Sequence, residues 1–187
     1  MKAVSVNFSK NSPPIPSRVS YVYANFERRS YHKTHMPSFI FPIYGRDHIS
    51  ERDFLKKISE NKSKLCHRLK FITPHVQNSD SIKDKIIWRI RDGEQEYTEK
   101  GFSFPFVNPI ITPLMFALYF CKDNKIDTII IDGIDYDYLD KDNKTMLLKF
   151  LHYGSSNEVS FIEVDNQESK IPLIVSLSKK EIGKVLK

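Results

Sequence analysis

The sequence predicts an α/β fold, in which helices cover both faces of a mostly parallel central sheet. Two observations lead to this prediction. Strand-like and helix-prone segments alternate along most of the chain, and such alternation favours parallel pairing. Ile129, Ile130 and Ile131 form a continuous β-branched run, which is typical of a strand covered on both faces. A chain of 187 residues fits a single domain over residues 1–187.

The predicted elements follow from local composition. Strands are expected at 3–6, 19–24, 38–43, 69–73, 86–90, 129–131 and 159–164, where β-branched and aromatic residues lie between polar or turn-forming ones. Helices are expected at 50–68, 112–121, 143–151 and 178–186, with Ser50 and Ser178 as N-caps. Leu114 and Leu118 lie one turn apart and are predicted to pack against the sheet. The chain shows no internal repeat.

Composition excludes several classes of protein. Hydrophobic residues make up 40% and charged residues 28%, which are ordinary globular values. The N-terminus runs directly into polar, proline-rich sequence and lacks the pattern of a signal peptide. The longest apolar run, 109–121, is shorter than the roughly 20 residues that span a bilayer. Cys66 and Cys121 are far apart and at no metal-binding spacing, so we expect a cytoplasmic protein from a reducing compartment.

The net charge of +6 is unevenly distributed. Residues 1–100 hold 19 Lys and Arg against 11 Asp and Glu, a balance of +8, whereas residues 101–187 hold 10 against 12, a balance of −2. A basic part next to an acidic loop suits a phosphate-bearing ligand, and an exposed lysine-rich surface explains it equally well. No basic run is dense enough to indicate a nucleic-acid partner.

A loop of acids and tyrosines follows the strand at 129–131 and is the predicted site. It contains Asp132, Asp135, Tyr136, Asp137, Tyr138 and Asp140. In open α/β sheets, ligands bind beyond the carboxyl ends of the strands. Asp135 can orient a sugar or nucleotide hydroxyl, or cap backbone N–H groups of the turn. Tyr136 and Tyr138 can donate hydrogen bonds to a leaving phosphate, or simply pack.

Several motifs around this loop occur in an order that resembles a known family. A strand and loop read MKAVSVNFSKNSPPI, a second strand reads VSYVYANF, and NPIITP leads through a helix into IIIDGIDYDY; KTMLLKFL and EVSFIEV follow. The order resembles the bacterial sialyltransferases that use CMP-sialic acid to decorate lipooligosaccharide, and related lipopolysaccharide glycosyltransferases. The resemblance spans most of the chain and is most specific over 108–138. Both glycines of the family's first loop, G-N-G-P-S, are absent here.

The resemblance implies a Rossmann-like three-layer sandwich and a glycosyltransferase. Its partners would be a nucleotide sugar, such as a CMP-linked donor, and a glycan acceptor, without a metal or other cofactor and with peripheral membrane association allowed. It implies nucleotide-binding roles for Asn11, Ser12, Asn25, Asn108, Thr112 and Asp135, and catalytic roles for Tyr136, Tyr138 and His152. His152 is the nearest candidate by position for the family's general base, and an ordinary histidine pKa near 6.5 suits that role. A turn-forming role for Asn11 and Asn25, and an exposed helix-end position for His152, are the structural alternatives.

Three other functions fit the same residues. DTIIIDGID is similar to the second nucleotide motif of a P-loop ATPase, with Asn166 as its sensor, but no G-x-x-x-x-G-K-[ST] motif is present. Asp135 and Asp137 with Glu94 can hold Mg²⁺ in a nuclease or topoisomerase-like module, whose basic part would follow a phosphate backbone. A shortened transferase fold that binds a glycan or a protein partner without catalysis is the third.

Overall fold

A computed structural model describes residues 3–9, 11–24, 108–165 and 170–187, together with five strands between residues 38 and 105. In chain order the strands are β1 (Ala3–Asn7), β2 (Val19–Tyr23), β3 (Ser38–Ile40), β4 (Leu69–Ile72), β5 (Ile86–Trp88), β6 (Glu96–Glu99), β7 (Phe102–Pro105), β8 (Thr128–Asp132), β9 (Ser160–Val164) and β10 (Val175–Leu177). The helices in these ranges are α1 (Ile111–Asn124), α2 (Lys141–Ser155) and α3 (Lys179–Val185).

Eight of the strands form one sheet in the order β10-β9-β8-β1-β2-β3-β4-β5, and each neighbouring pair is parallel. Strands β6 and β7 form a separate antiparallel pair. The chain builds the sheet from β1 outwards to β5 and then returns to the other side of β1 at β8. The predicted α/β fold with a parallel, Rossmann-like sheet is therefore confirmed, and its strand order reverses between β1 and β8.

Most predicted elements that fall in the described ranges are present within a few residues. The predicted strand at 129–131 is β8, and the predicted helices at 112–121, 143–151 and 178–186 are α1, α2 and α3. The predicted helix at 50–68 and the ends of the strands at 38–43, 69–73 and 86–90 lie outside the described residues. The sequence did not predict β6, β7 or β10, which are only three or four residues long and are not marked by an apolar run.

One face of the sheet carries the main apolar core. Alternate residues of a strand point to the same face, and Val4 and Val6 of β1 pair in register with Ile129 and Ile131 of β8. All four are fully buried in one hydrophobic cluster with residues of α1 and α2. Those helix residues include Leu114, Leu118, Cys121, Leu147 and Phe150. The predicted packing of Leu114 and Leu118 against the sheet is confirmed. Burial of the Cys121 thiol, with a smaller contribution from the charge of Asp127, raises its pKa to about 12.

Helix α2 lies close to β9 because Gly154 has no side chain. A Cβ at this position would stand 2.3 Å from Cζ of Phe161, which is shorter than any ordinary carbon contact. Phe150 meets the ring of Phe161 edge to face at a centroid distance of 5.7 Å. At the other end of α2, Asp140 begins the helix by accepting a hydrogen bond from the Asn143 N–H at 2.8 Å. Hydrogen bonds from Asn143 lower the pKa of the Asp140 carboxyl.

The opposite face is polar towards the carboxyl ends of its central strands. Ser5 and Asn7 of β1 and Asp132 of β8 are buried there. The rings of Tyr21 and Tyr23 on β2 stack with centroids 5.6 Å apart. None of the helices in the described ranges is long and apolar enough to cross a bilayer.

Candidate functional site at the strand-order reversal

The candidate site lies where the carboxyl ends of β1 and β8 meet. Asn7 and Asp132 are the last residues of their strands and pair with each other in the sheet register. Phe8 N–H still donates to the Asp132 carbonyl at 2.8 Å. Beyond this hydrogen bond the two segments diverge, since β1 leads to β2 on one side of the β1–β8 pair and β8 leads to β9 on the other. In open α/β sheets, ligands bind in the crevice that such a divergence creates.

Gly133 brings the two diverging loops into contact. Its φ of +87° lies in the left-handed region that favours glycine. A Cβ here would also stand 2.7 Å from both Cβ and N of Ser9, in the loop after β1. The G of IIIDGIDYDY is therefore required by backbone conformation and by close packing at the mouth of the crevice.

Three polar side chains converge on one carboxylate oxygen of a fourth, Asp132, at this point. Asp132 Oδ2 accepts from Asn7 Nδ2 at 3.1 Å and from Ser12 Oγ at 2.7 Å. Lys179 Nζ lies 2.8 Å from the same oxygen and also donates to Ser12 Oγ and to the Pro13 carbonyl. The side chains of Lys179 and Asp132 are 16% and 6% exposed. We refer to Asn7, Ser12, Asp132 and Lys179 as the switch-point cluster.

The start of α3 positions the lysine of this cluster. Ser178 Oγ accepts the Glu181 N–H at 3.3 Å, and the Glu181 carboxylate accepts the Ser178 N–H at 2.8 Å. This reciprocal capping box begins the helix, and it lowers the pKa of Glu181. Lys179 is the first residue of the helix, so the cap fixes its backbone beside the ends of β1 and β8. The predicted Ser178 cap is confirmed.

Asn7 carries an unused acceptor in this cluster. A carboxylate can only accept hydrogen bonds, so the amide nitrogen of Asn7 must face Asp132 and its Oδ1 must face away. Asn7 is 1% exposed, and no group in the described ranges donates to its buried Oδ1. A buried acceptor without a donor typically costs about 1–3 kcal/mol, which a hydroxyl or amine of a bound molecule would recover.

The sequence-predicted residues divide into three groups by position. Asn11 and Ser12 follow β1, and Asp135, Tyr136 and Tyr138 follow β8, so these five lie at the carboxyl edge with the switch-point cluster. Asn108 and Thr112 also lie at that edge, at the start of α1. His152 lies at the opposite edge, and Asn25 lies outside the described residues.

Asn108 and Thr112 form a capping network. Asn108 Oδ1 accepts the N–H groups of Ile110 and Ile111 at 2.9 and 2.8 Å. Asn108 N–H donates to Thr112 Oγ1 at 2.8 Å, and Asn108 Nδ2 donates to Asn143 Oδ1 of α2 at 3.1 Å. These bonds begin α1 and tie it to α2. The geometry gives both residues a structural role at the edge of the crevice.

The loop after β8 begins close to the predicted position. The strand ends at Asp132, one residue beyond the predicted 129–131, and the positive φ of Gly133 turns the chain out of the sheet before Asp135. Asp135 is half-buried, with a buried Oδ1 that has no donor in the described part of the chain. Tyr136 packs against the core, with Lys144 Nζ 5.4 Å from its ring centroid, and Tyr138 is 86% exposed.

His152 is not brought to the candidate site. It lies twelve residues beyond Asp140 on α2, which at 1.5 Å per residue is about 18 Å along the helix axis. Helix α2 starts at the carboxyl edge of the sheet and ends at the amino edge, where the chain enters β9. The sequence located His152 only by its position in the chain, which carries no information on the edge that it occupies.

Sequence reasoning placed Asp132 in the predicted loop without an individual role, and it did not assign Asn7 or Lys179 to the site. Asn7 and Asp132 carried a usable signal, since each is a polar residue that ends a mostly apolar strand, in AVSVN and TIIID. Lys179 carried none, because a lysine after a helix-capping serine is an ordinary surface pattern. Its contact with Asp132 depends on the packing of α3 against the sheet.

A second buried carboxylate lies on the neighbouring strand. Glu163 of β9 pairs in register with Ile131 and is 2% exposed. Its Oε2 accepts the Ile171 N–H at 3.0 Å, and its Oε1 has no donor in the described ranges. Burial raises the pKa of Glu163, and the charge of Asp165 adds to the rise; the Ile171 N–H and Lys170 oppose it.

We expect Glu163 to make the folded protein more stable in mild acid. Because its pKa is raised on folding, its stabilising contribution is fully present below the ordinary value of 4.5 and is lost as the pH rises through the folded-state pKa. The free energy of unfolding of the wild type should therefore rise relative to that of Glu163→Gln as the pH falls from 7 towards 4.5. Urea denaturation across this range measures the difference. The exposed control Glu158→Gln should give a flat difference, and a flat difference for Glu163→Gln would contradict the assignment.

No group of three His, Cys, Asp or Glu in the described ranges has the arrangement of a metal site. Comparisons with protein-family models, with curated proteins and with solved structures found no match to the chain. A parallel sheet of this kind supports many unrelated activities. The function is therefore inferred from the switch-point cluster and the residues around it.

Proposed function

We propose that this chain binds a nucleotide sugar at the switch-point cluster and transfers the sugar to a glycan. The observation that supports the proposal most is the convergence of an ammonium, a carboxylate and an unused amide oxygen where the strand order reverses. That crevice is where α/β sheets of this topology bind nucleotides. The order of motifs that resembles the sialyltransferases makes a CMP-linked sugar the first donor to test.

Lys179, Asp132 and Asn7 of the cluster each match a part of such a nucleotide sugar. The Lys179 ammonium would bind the phosphate through charge-assisted hydrogen bonds. Asp132, which can only accept, would take a hydrogen bond from a ribose hydroxyl. Asn7 Oδ1 would accept from a second hydroxyl or from an amine of the base. A nucleotide sugar has an anionic phosphate and several hydrogen-bond donors close together, as the cluster requires.

The proposed reaction is an inverting displacement. The acceptor hydroxyl attacks the anomeric carbon as the bond from that carbon to the nucleotide phosphate oxygen breaks, so negative charge grows on the departing phosphate. Lys179, and the exposed phenol of Tyr138 at the same edge, are the candidates to stabilise that charge. His152 is left out of this mechanism, because α2 carries it about 18 Å from the carboxyl edge.

We expect CMP and CDP to raise the melting temperature of the protein. A ligand at 100 times its dissociation constant stabilises the folded state by about 2.7 kcal/mol, which corresponds to roughly 5–11 °C for a domain of this size. Thermal shift with CMP, CDP, UDP, and ATP with and without Mg²⁺ measures the preference. The shift should be lost in Lys179→Met and retained in Lys180→Met, which removes the next, exposed lysine of the same helix.

The same screen separates the alternative functions. A shift with ATP and Mg²⁺ but not with cytidine nucleotides would favour the ATPase-like lobe. A shift with Mg²⁺ alone would favour the metal-dependent nuclease. An equal loss of the nucleotide shift in Lys180→Met would move the binding site away from the switch-point cluster.

A further inference from the structure

The loop between β1 and β2 has a fixed end and an exposed end. At the fixed end, Ile15 is 3% exposed and its N–H donates to the Tyr21 hydroxyl at 3.0 Å. Pro16 packs so closely on Gly183 of α3 that an added Cβ would stand 2.7 Å from its Cγ. By contrast, three of the four residues 11–14 are exposed and Ser12 is half-buried. We call residues 11–14 the latch.

The latch is held to the sheet through the switch-point cluster. Ser12 Oγ donates to Asp132 and accepts from Lys179, whose ammonium also donates to the Pro13 carbonyl. With the Asp132 carboxylate, these acceptors match the three N–H bonds of an ammonium group. The contacts that hold the latch therefore use the same cation that an anionic ligand would need.

The buried amide of Asn7 offers a hydrogen-bond acceptor beside the closed latch. Asn7 Nδ2 and Ser12 Oγ donate to the same oxygen of Asp132, so the amide lies beside the latch. Its Oδ1 is buried and has no donor from the described residues, so the closed latch leaves the acceptor unsatisfied. A cluster built for structure alone would gain stability by supplying that donor.

We propose that the latch closes the switch-point site in the unliganded protein, and that a phosphate-bearing ligand opens it by drawing the Lys179 ammonium away from Ser12 and Pro13. The inference rests on the proposed site but not on the identity of the nucleotide, since the chemistry that opens the latch is that of a phosphate. Asn7 Oδ1 then takes a donor from the ligand, which favours a ligand with a hydroxyl or amine near the phosphate.

Weakening the latch should therefore tighten binding. When only an open state binds, the apparent dissociation constant equals the intrinsic constant divided by the open fraction. Ser12→Ala removes a side chain that bonds both Asp132 and Lys179, and a net loss equivalent to one hydrogen bond changes an equilibrium roughly 3- to 10-fold. We expect Ser12→Ala to bind inorganic pyrophosphate and CMP about 3- to 10-fold more tightly than the wild type.

Calorimetric titration of the wild type and Ser12→Ala with inorganic pyrophosphate, CMP and cytidine tests the inference. Ser156→Ala is the matched control, because its exposed Oγ donates to the His152 carbonyl at the opposite edge of the sheet. Amide chemical shifts of Asn11 and Ser12 on adding pyrophosphate report the opening in the wild type, and the anchored Ile15 amide should move less.

The outcomes separate the latch from the proposed function. If Ser12→Ala binds both pyrophosphate and CMP more tightly and Ser156→Ala is unchanged, the result supports the latch. If Ser12→Ala binds pyrophosphate more tightly but neither protein binds CMP, the result supports the latch and contradicts the proposed nucleotide-sugar function. CMP binding that weakens in Ser12→Ala overturns the latch and makes Ser12 a direct ligand contact. Binding that Ser12→Ala does not change, or no pyrophosphate binding to either protein, also overturns it.

Discussion

Leu114→Ala is expected to lower the free energy of unfolding by about 2–5 kcal/mol. Leu114 is fully buried on α1, in the same cluster as the inward residues of β1 and β8. Truncation removes the transfer free energy of the lost methyl groups and leaves a cavity that a close-packed core fills only in part. The effect should approach the upper limit, because the first two turns of α1 are buried and have little room to move. Urea denaturation monitored by circular dichroism measures it.

Leu173→Ala is the matched control for this prediction. It makes the same change in a side chain that is 88% exposed, so the free energy of unfolding should change by less than about 0.5 kcal/mol. Equal losses in the two variants would mean that α1 does not pack against the sheet as described. Helix α1 carries the Asn108 cap to the edge of the candidate site, so the result also bears on the geometry of that edge.

Lys179→Met is expected to destabilise the protein by about 3 kcal/mol. Removing one partner of a buried ion pair leaves an uncompensated charge and typically costs about 3–5 kcal/mol. The 16% exposure of the Lys179 side chain places the expectation at the low end of that range. Ser12 Oγ and the Pro13 carbonyl lose a donor in the same substitution. Lys180→Met, on the exposed side of α3, should have little effect.

The double variant Lys179→Met, Asp132→Asn separates charge from packing. If the loss in Lys179→Met comes from the unpaired Asp132 carboxylate, neutralising that group should restore part of the stability, and the cycle should give a coupling of at least about 1 kcal/mol. Strictly additive losses would show that the two side chains do not form the ion pair. The double variant also provides a site without charge for the nucleotide titrations.

Local sequence determined most of the elements in the described part of the chain. The Ile129–Ile131 run predicted a buried strand, and the Leu114 and Leu118 spacing predicted a helix that packs on it; both are confirmed. Ser178 predicted the start of the last helix, because a hydroxyl before a helix accepts N–H groups that have no other partner. The short strand β10 was missed, since three residues without an apolar run give no periodic signal.

The sequence by itself predicted a parallel sheet and a candidate site at its carboxyl edge, because alternating elements favour that topology and polar residues end the strands. Only the tertiary structure decided which side chains meet there. It joined Asn7, Ser12, Asp132 and Lys179 across more than a hundred residues of chain, and it placed His152 at the other edge. The physical reason is that backbone propensity and hydrophobic period act over a few residues, whereas a salt bridge between a strand end and a distant helix start depends on how the whole sheet and its helices pack.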